Sequence, residues 1–211
     1  MNKSQKLNSA ATLYILITLT MFSLQTSVFA QGNEKLDYIV LYVGDTLHGK
    51  VQYIDEGIPR EFYKKIRLTT SDGKGKKYKR KNVASFRVTN ITYESFWLSQ
   101  TSQRFSLVNP KYNIDHNNGE QYFLKVVSKG NLNHYELEWI EQGDTALRSM
   151  ALLKKEEDPF FIRADQGVIR LKRKVLLDYF SNCPRIIEAI NQKQIKDVWQ
   201  VVDFYNKNCI D

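Results

Sequence analysis

Between residues 38 and 163 the chain alternates short β-rich segments with turns rich in Gly, Asp and Asn, at the spacing of β-hairpins. Residues 44–46, 71–75 and 129–131 are the clearest turn sequences, and aromatic and β-branched residues are frequent in the segments around them. Turn signals at this spacing are typical of antiparallel sheets. They predict roughly eight to ten short strands in a sheet that rolls up or folds over on itself, like a sandwich or a barrel.

The segments 47–54 and 99–119 differ in how clearly they alternate. In residues 47–54 apolar and polar side chains alternate, which predicts one continuous strand with one solvent-exposed face. His48 is predicted to lie on that face. Residues 99–119 are polar and have no period, so this segment is predicted to form the longest loop.

After residue 171 the apolar residues follow a helical period. Pro184 suits the first turn of a helix, where its missing N–H is not needed. The clearest amphipathic stripe consists of Ile195, Val198, Trp199, Val202 and Tyr205. We expect two or three short helices that pack on one another and on the sheet. The predicted fold class is therefore α+β, with an antiparallel β domain over residues 31–165 and a small helical tail over residues 166–211.

Residues 1–30 have the three parts of a secretory signal peptide: the basic residues Lys3 and Lys6, an apolar stretch, and Val28-Phe29-Ala30 as a cleavage site. A retained membrane anchor is the alternative, but the apolar stretch of about 15 residues is shorter than the ~20 that span a bilayer. We therefore predict an exported protein, periplasmic or secreted, with no integral membrane segment after signal removal.

Cys183 and Cys209 are the two cysteines of the sequence. In an exported chain such a pair is more often a structural disulfide than a reactive site. A redox pair is the alternative, but the spacing is not the Cys-x-x-Cys of redox motifs. We predict a disulfide that clamps the helical tail.

Three parts of the sequence resemble a family of exported proteins that is frequent in Bacteroidota and has no established activity. They are the hairpin around Gly44-Asp45-Thr46, the segment 76–86 with its Lys-Lys-Tyr-Lys sequence, and the segment 179–209 with Cys183-Pro184 and Tyr205-Asn206. The resemblance implies an envelope or secreted location and a disulfide in the tail. It implies no catalytic or binding residues.

Exported proteins of the same bacterial group can be O-glycosylated at Asp-Thr followed by a small or apolar residue. Asp45-Thr46-Leu47 and Asp144-Thr145-Ala146 resemble that motif. Thr46 and Thr145 are therefore candidate glycosylation sites. The alternative is that both threonines are ordinary turn residues.

The sequence has no motif of a common catalytic or nucleotide site. It contains no Gly-x-Ser-x-Gly, no phosphate-binding Gly-rich loop, and no nucleophile that pattern would pair with His116 and Asp115. His134, Glu136 and Glu138 share one predicted strand face, which could begin a metal site but is more typical of a solvated face. We expect a non-catalytic protein without cofactor or metal; an undetected hydrolase is the alternative.

The net charge of +8 comes mainly from residues 60–87, where basic residues far outnumber acidic ones. Within residues 74–81, six neighbours form the candidate polyanion-binding stretch: Lys76, Lys77, Tyr78, Lys79, Arg80 and Lys81. Such a stretch suits lipopolysaccharide phosphates or an acidic glycan. The alternative is an edge strand that lysines protect from aggregation. We predict a cell-envelope module whose partner is an envelope protein or glycan, and we expect no nucleic acid.

Overall fold

The computed structural model describes residues 36–54, 65–99, 111–140, 146–165 and 171–209. The predicted signal peptide, Thr145 and most of the predicted long loop lie outside these ranges. The described chain contains twelve strands: β1 (Tyr38–Leu41), β2 (Thr46–His48), β3 (Lys50–Ile54), β4 (Lys65–Thr69), β5 (Gly75–Lys79), β6 (Val83–Val88), β7 (Ile91–Ser99), β8 (Lys111–Ile114), β9 (Glu120–Ser128), β10 (Leu132–Ile140), β11 (Leu147–Lys155) and β12 (Phe160–Arg163). Three helices follow: α1 (Arg173–Tyr179), α2 (Pro184–Asn191) and α3 (Val198–Asn208).

Six of the strands close into a barrel-like antiparallel sheet in the order β7-β8-β12-β11-β10-β9. The closing pair is β7 with β9, which runs in register from Tyr93 opposite Lys125 to Leu98 opposite Glu120. β6, β1 and β2 extend this sheet from the first half of β7. The α+β prediction with a rolled sheet and a helical unit is confirmed.

The interior of the closed sheet is filled by one buried residue set to which all six strands contribute. Its buried members are Leu98, Tyr112, Leu124, Tyr135, Leu137, Met150, Leu152 and Phe161. Its hydroxyl groups have partners: the Tyr135 hydroxyl donates to Glu94 Oε2 at 2.8 Å, where Lys129 Nζ also donates at 2.6 Å, and the Tyr112 hydroxyl donates to Met150 Sδ at 3.5 Å. The interior is therefore a packed core, and ligand sites must be sought outside it.

The three remaining strands form a small sheet in the order β3-β4-β5. One face of this small sheet packs on the extension of the large sheet, and the two share the buried residues Ile39, Val51, Ile66, Leu68, Tyr78, Val83, Phe86, Tyr93 and Phe123. Phe86 stacks on Tyr93 with ring centroids 4.9 Å apart and meets Phe123 edge-on at 5.0 Å. These three rings belong to the large sheet, and Val51, Ile66, Leu68 and Tyr78 of the small sheet complete the same core, so apolar packing joins the two sheets.

The prediction of one continuous strand over residues 47–54 is wrong. The chain changes sheets at Gly49, so that β2 pairs with β1 and β3 pairs with β4. A Cβ at Gly49 would lie 2.5 Å from the carbonyl oxygen of Thr69, so only glycine allows this close crossing. His48 is exposed, as predicted.

The predicted loop over residues 99–119 is wrong at residues 111–114, which form β8. This strand pairs with β12 and with the end of β7, and Tyr112 is fully buried. Four residues are too few to show an alternation in the sequence. The partners of β8 come from distant parts of the chain, so local pattern carries no sign of them.

The helical tail packs on the outer face of β10, β11 and β12. Their shared core contains Leu132, Leu153, Ile162, Leu176, Phe180, Ile186, Ile190, Val201 and Tyr205 among others. Asn206 fixes α3 to the barrel, because its Oδ1 accepts from the Leu132 N–H at 2.8 Å and its Nδ2 donates to the Leu132 carbonyl at 3.1 Å. The tail is thus held by both apolar packing and a two-way hydrogen bond.

Cys183 and Cys209 form the predicted disulfide and lie 5.7 Å apart between their Cα atoms. Cys183 precedes α2 and Cys209 follows α3, so the bond ties the start of one helix to the end of the next. A disulfide is compatible with an exported protein. None of the helices among the described residues is both long and apolar enough to cross a bilayer.

The predicted stripe of α3 is wrong at Trp199, which is 61% exposed. The helix begins only at Val198, after the N-cap Asp197, so Ile195 is buried from the segment before the helix. Without Ile195 the buried face of α3 shifts to Val201, Val202 and Tyr205. With this face buried, Trp199 lies on the solvent side of α3.

Candidate functional site

The six residues of the predicted polyanion-binding stretch do not share one surface. Lys76, Lys77, Tyr78 and Lys79 belong to β5, whereas Arg80 and Lys81 belong to a short 3-10 helix (Arg80–Asn82). Tyr78 is 8% exposed and packs between the two sheets, with Lys76 Nζ 5.2 Å from its ring centroid. Lys77 and Lys79 point to the opposite side, because neighbours in a strand alternate between faces.

The outer face of the small sheet is a continuous basic surface. The register places Lys79 opposite Lys65 and Lys77 opposite Arg67, across β5 and β4. Lys50 of β3 lies on the same face. We call these five residues, Lys50, Lys65, Arg67, Lys77 and Lys79, the basic face. The described strand residues of this face include no carboxylate.

An open cleft of about 650 Å³ begins where the basic face ends. Its lining combines cations from the small sheet and the 3-10 helix with residues of the barrel: Lys65, Lys79, Arg80, Lys81, Trp97, Asn118, Gly119, Glu120 and Gln121. Four cations surround this cleft, and Glu120 is the single carboxylate among the described lining residues. The cleft therefore favours an anionic ligand.

Hydrogen bonds hold the 3-10 helix against the barrel. Gln121, 3% exposed, donates from Nε2 to the Arg80 carbonyl at 3.0 Å and to Ser95 Oγ at 2.6 Å. Glu120 Oε1 lies 4.0 Å from Arg80, and Glu120 Oε2 accepts from the Tyr122 hydroxyl at 2.8 Å. The charge of Glu120 is thus engaged by Arg80 and Tyr122, and Lys79 and Lys81 add further positive charge to the cleft lining.

The far side of the cleft is a turn organised by Asp115. Its Oδ1 accepts from the N–H groups of Asn117 at 2.9 Å and Asn118 at 3.1 Å, and its Oδ2 accepts from Asn118 Nδ2 at 3.1 Å. The hydrogen bonds from Asn118, and then from Asn117, hold the pKa of Asp115 below its usual value. Gly119 closes the turn, where a Cβ would lie 2.4 Å from the Asp115 carbonyl oxygen. Asn118 is therefore presented to the cleft by a fixed backbone.

A second cleft, of about 460 Å³, lies between the helical tail and the barrel. Its polar groups engage one another. The Tyr179 hydroxyl donates to Asp158, and Lys155 Nζ donates to the Tyr179 carbonyl at 3.1 Å while lying 4.6 Å from the Tyr179 ring centroid. These contacts secure the tail, so the basic cleft is the stronger candidate for a ligand.

The prediction that His134, Glu136 and Glu138 form a solvated face is wrong. Glu136 accepts from Lys125 Nζ at 2.8 Å, and the side chain of Glu138, which is 10% exposed, accepts from the Tyr93 hydroxyl at 3.1 Å. The side chains of Lys125 on β9 and Tyr93 on β7 thus engage the two carboxylates and shield them from solvent. Within the described ranges no group of three or more His, Cys, Asp or Glu side chains could hold a metal ion.

His134 itself is 6% exposed, and its Nε2 has no hydrogen-bond partner among the described residues. Burial lowers the pKa of His134 below its ordinary value of 6.5, although Glu136 and Asp165 act in the opposite direction. The buried imidazole therefore resists protonation more than it would in the unfolded chain.

We expect the protein to lose stability as the pH falls below the ordinary histidine pKa of 6.5. In that window the unfolded chain binds a proton at His134 before the folded protein does, with a slope of at most about 1.4 kcal/mol per pH unit. Urea unfolding at a series of pH values measures the free energy of unfolding and its slope against pH. His134→Gln should flatten the slope, whereas His48→Gln, at an exposed site, should leave it unchanged; equal slopes in all three proteins would contradict the assignment.

The candidate glycosylation sites lie apart from the cleft or outside the described ranges. Thr46 is exposed at the start of β2, the outermost strand of the nine-stranded sheet. Thr145 lies outside the described residues, so only Asp45-Thr46-Leu47 has a structural position.

Sequence patterns indicated the cations of the site and missed its other half. Trp97, Asn118 and Gln121 come from β7, the Asp115 turn and β9, and only the pairing of β7 with β9 brings them together. No local motif marks such a convergence. No family model, curated protein or solved structure matches the chain, so the function of this cleft is inferred from its geometry.

Proposed function

We propose that this protein is an exported, non-catalytic module of the bacterial envelope, periplasmic or secreted, that binds an anionic glycan on its basic face and in the adjoining cleft. The observation that carries the proposal is the basic face itself, on which the register places Lys77 directly opposite Arg67.

Cations directly opposite each other in a sheet repel, and such pairs are destabilising. Edge protection explains lysines on β5, which is an outer strand of the small sheet. It does not explain Arg67, because β4 is the central strand. A ligand whose negative charge lies beside Arg67 and Lys77 explains cations on both strands.

The spacing of the basic face suits a polymer. Neighbouring strands lie about 4.8 Å apart, and side chains on one face of a strand repeat about every 6.8 Å. Charges at such intervals can contact several acidic groups along a polymer at once, and each contact releases counterions. The array is thus better matched to an anionic chain than to a single small ion.

The predicted export and the disulfide support a glycan as the polymer. The signal-like segment 1–30 directs the chain out of the cytoplasm, and the Cys183–Cys209 bond suits an oxidising compartment. Phosphorylated and carboxylated glycans are the abundant anionic polymers there. Binding is favoured over hydrolysis, because glycosidases ordinarily use two carboxylates and the described lining offers only Glu120, which is engaged by Arg80 and Tyr122.

Neutralising Lys77 and Lys79 together is expected to weaken binding of inorganic polyphosphate about tenfold at low salt, because two counterion-releasing contacts are lost. The magnitude of the slope of log K against log salt should fall by about 1.4 to 1.8. Titrations of Lys77→Gln/Lys79→Gln over a range of salt concentrations measure both quantities.

The matched control is Lys193→Gln/Lys196→Gln, which removes the same charge at two exposed positions of the tail. This variant should bind like the wild-type protein apart from a small effect of net charge. Equal weakening in both variants would show that only net charge matters, and binding that ignores salt would refute the proposal.

A further inference from the structure

Trp97 is a half-buried aromatic residue in a cleft that is otherwise lined by charged and amide side chains. It lies on β7 directly opposite Gln121 of β9, and its ring centroid is 6.3 Å from that of the exposed His116. An aromatic side chain that borders a polar cleft offers an apolar surface to whatever enters.

The fold uses the backbone of Trp97 rather than its indole to build the cleft. The Trp97 carbonyl accepts from the Asp115 N–H at 2.8 Å, and this carbonyl is also close to Gly119. Any residue in a strand supplies the same carbonyl. The indole therefore remains available to a ligand.

We propose that the cleft holds one sugar ring of the anionic glycan against the Trp97 indole, while Lys79, Arg80 and Lys81 bind the negative group that the ring carries. This inference rests on the proposed function and names its ligand class: a saccharide with a carboxylate or phosphate on a ring that has an apolar face of C–H groups. Asn118 lines the same cleft, and its side-chain oxygen can accept hydrogen bonds from ring hydroxyls.

The dimensions and rigidity of the cleft agree with such a ligand. Clefts for small ligands usually have volumes of about 300–1,000 Å³ and combine apolar surface with a few convergent polar groups. The Asp115 turn and the Gln121 hydrogen bonds fix Asn118 and Arg80 before a ligand arrives. A preformed cleft loses little conformational entropy on binding.

Polyphosphate has charge but no apolar ring face, so it separates the two proposals. Trp97→Ala is expected to weaken binding of an oligogalacturonate about tenfold and to change binding of inorganic polyphosphate less than twofold. Lys77→Gln/Lys79→Gln should weaken both ligands. Trp97→Tyr, which keeps an aromatic surface, should restore most of the saccharide affinity. The unchanged polyphosphate binding shows that Trp97→Ala is folded.

The second saccharide to be tested is a deacylated, phosphorylated core oligosaccharide of lipopolysaccharide. If only the oligogalacturonate binds in a Trp97-dependent way, the ring carries a carboxylate. If only the core oligosaccharide does, the ring carries a phosphate. Loss of polyphosphate binding in Trp97→Ala, or no Trp97 dependence for either saccharide, would overturn the inference while leaving the polyanion proposal intact. A single-stranded oligonucleotide that depended equally on Trp97 would overturn the saccharide assignment. Failure of the wild-type protein to bind polyphosphate or either saccharide would refute both proposals.

Fluorescence gives a test that leaves the cleft unaltered. The sequence has three tryptophans, so Trp139→Phe/Trp199→Phe keeps Trp97 as the sole indole emitter. Its emission should shift or be quenched when the saccharide is added and should stay nearly constant when polyphosphate is added. Identical responses to both ligands would contradict a ring stacked on Trp97.

Discussion

Replacing Cys183 and Cys209 by serine is expected to lower the free energy of unfolding by about 3.5 kcal/mol, because the bond closes a loop of 26 residues and restricts the unfolded chain. The loop contains all of α2 and α3, including the buried residues Ile186, Ile190 and Val201. Without the bond we expect these helices to keep their apolar packing but to lose the covalent restraint between the start of α2 and the end of α3. Urea unfolding of the oxidised wild-type protein and the double variant measures the difference.

Reduction of the wild-type protein is the matched control, since it breaks the same bond without changing a side chain. It should produce nearly the same loss of stability as the double substitution. The double variant should still bind polyphosphate, because the basic face belongs to a different sheet from the one that carries the tail. An unchanged urea midpoint after reduction would show that packing alone holds the tail.

Features set by neighbouring residues could be predicted from the sequence. The hairpins β4–β5, β6–β7 and β9–β10 each join strands across a short turn, so alternation and turn residues together locate them. The disulfide and Pro184 at the start of α2 were also predictable, because each depends on residue type and compartment rather than on distant contacts.

Features set by distant pairing could not be predicted. The barrel closes through β7 with β9, and β8 is secured by β12, which lies far along the chain. The alternation of His134, Glu136 and Glu138 with Tyr135 was visible, but alternation does not say whether the second face is covered. Lys125 of β9 covers it, and this is why a face that looked solvated is largely buried.

In the candidate site, too, some residues could be predicted from local sequence and others depend on distant strand pairing. Alternation around the buried Tyr78 is enough to place Lys77 and Lys79 on the outer face of β5. The opposing cations Lys65 and Arg67 could be identified once the β4–β5 hairpin was predicted. Trp97 could be assigned to the site only from the closed barrel, because its neighbours in the cleft come from three separate segments of the chain.

Phe86→Ala is expected to lower the free energy of unfolding by about 3–5 kcal/mol, the usual range for removing a fully buried phenylalanine ring. The cavity would open in the core shared by the two sheets, beside Tyr93 and Phe123, both within about 5 Å of the Phe86 ring centroid. Since rigid strands on both sides line the space, the site should collapse only partly. Equilibrium unfolding in urea measures the loss, and hydrogen exchange should show the amides of β4 and β5 opening faster.

Leu147→Ala is the matched control, because Leu147 is also a strand residue but is 57% exposed, and its truncation should cost no more than about 0.5 kcal/mol. Phe86→Leu, which keeps much of the volume, should fall between the two. If β4 and β5 are held by Phe86, the alanine variant should also bind polyphosphate more weakly as the temperature approaches its lowered unfolding midpoint, because the basic face then loses its support. A loss below about 1 kcal/mol with unchanged exchange in β4 and β5 would mean that the small sheet is anchored by other contacts.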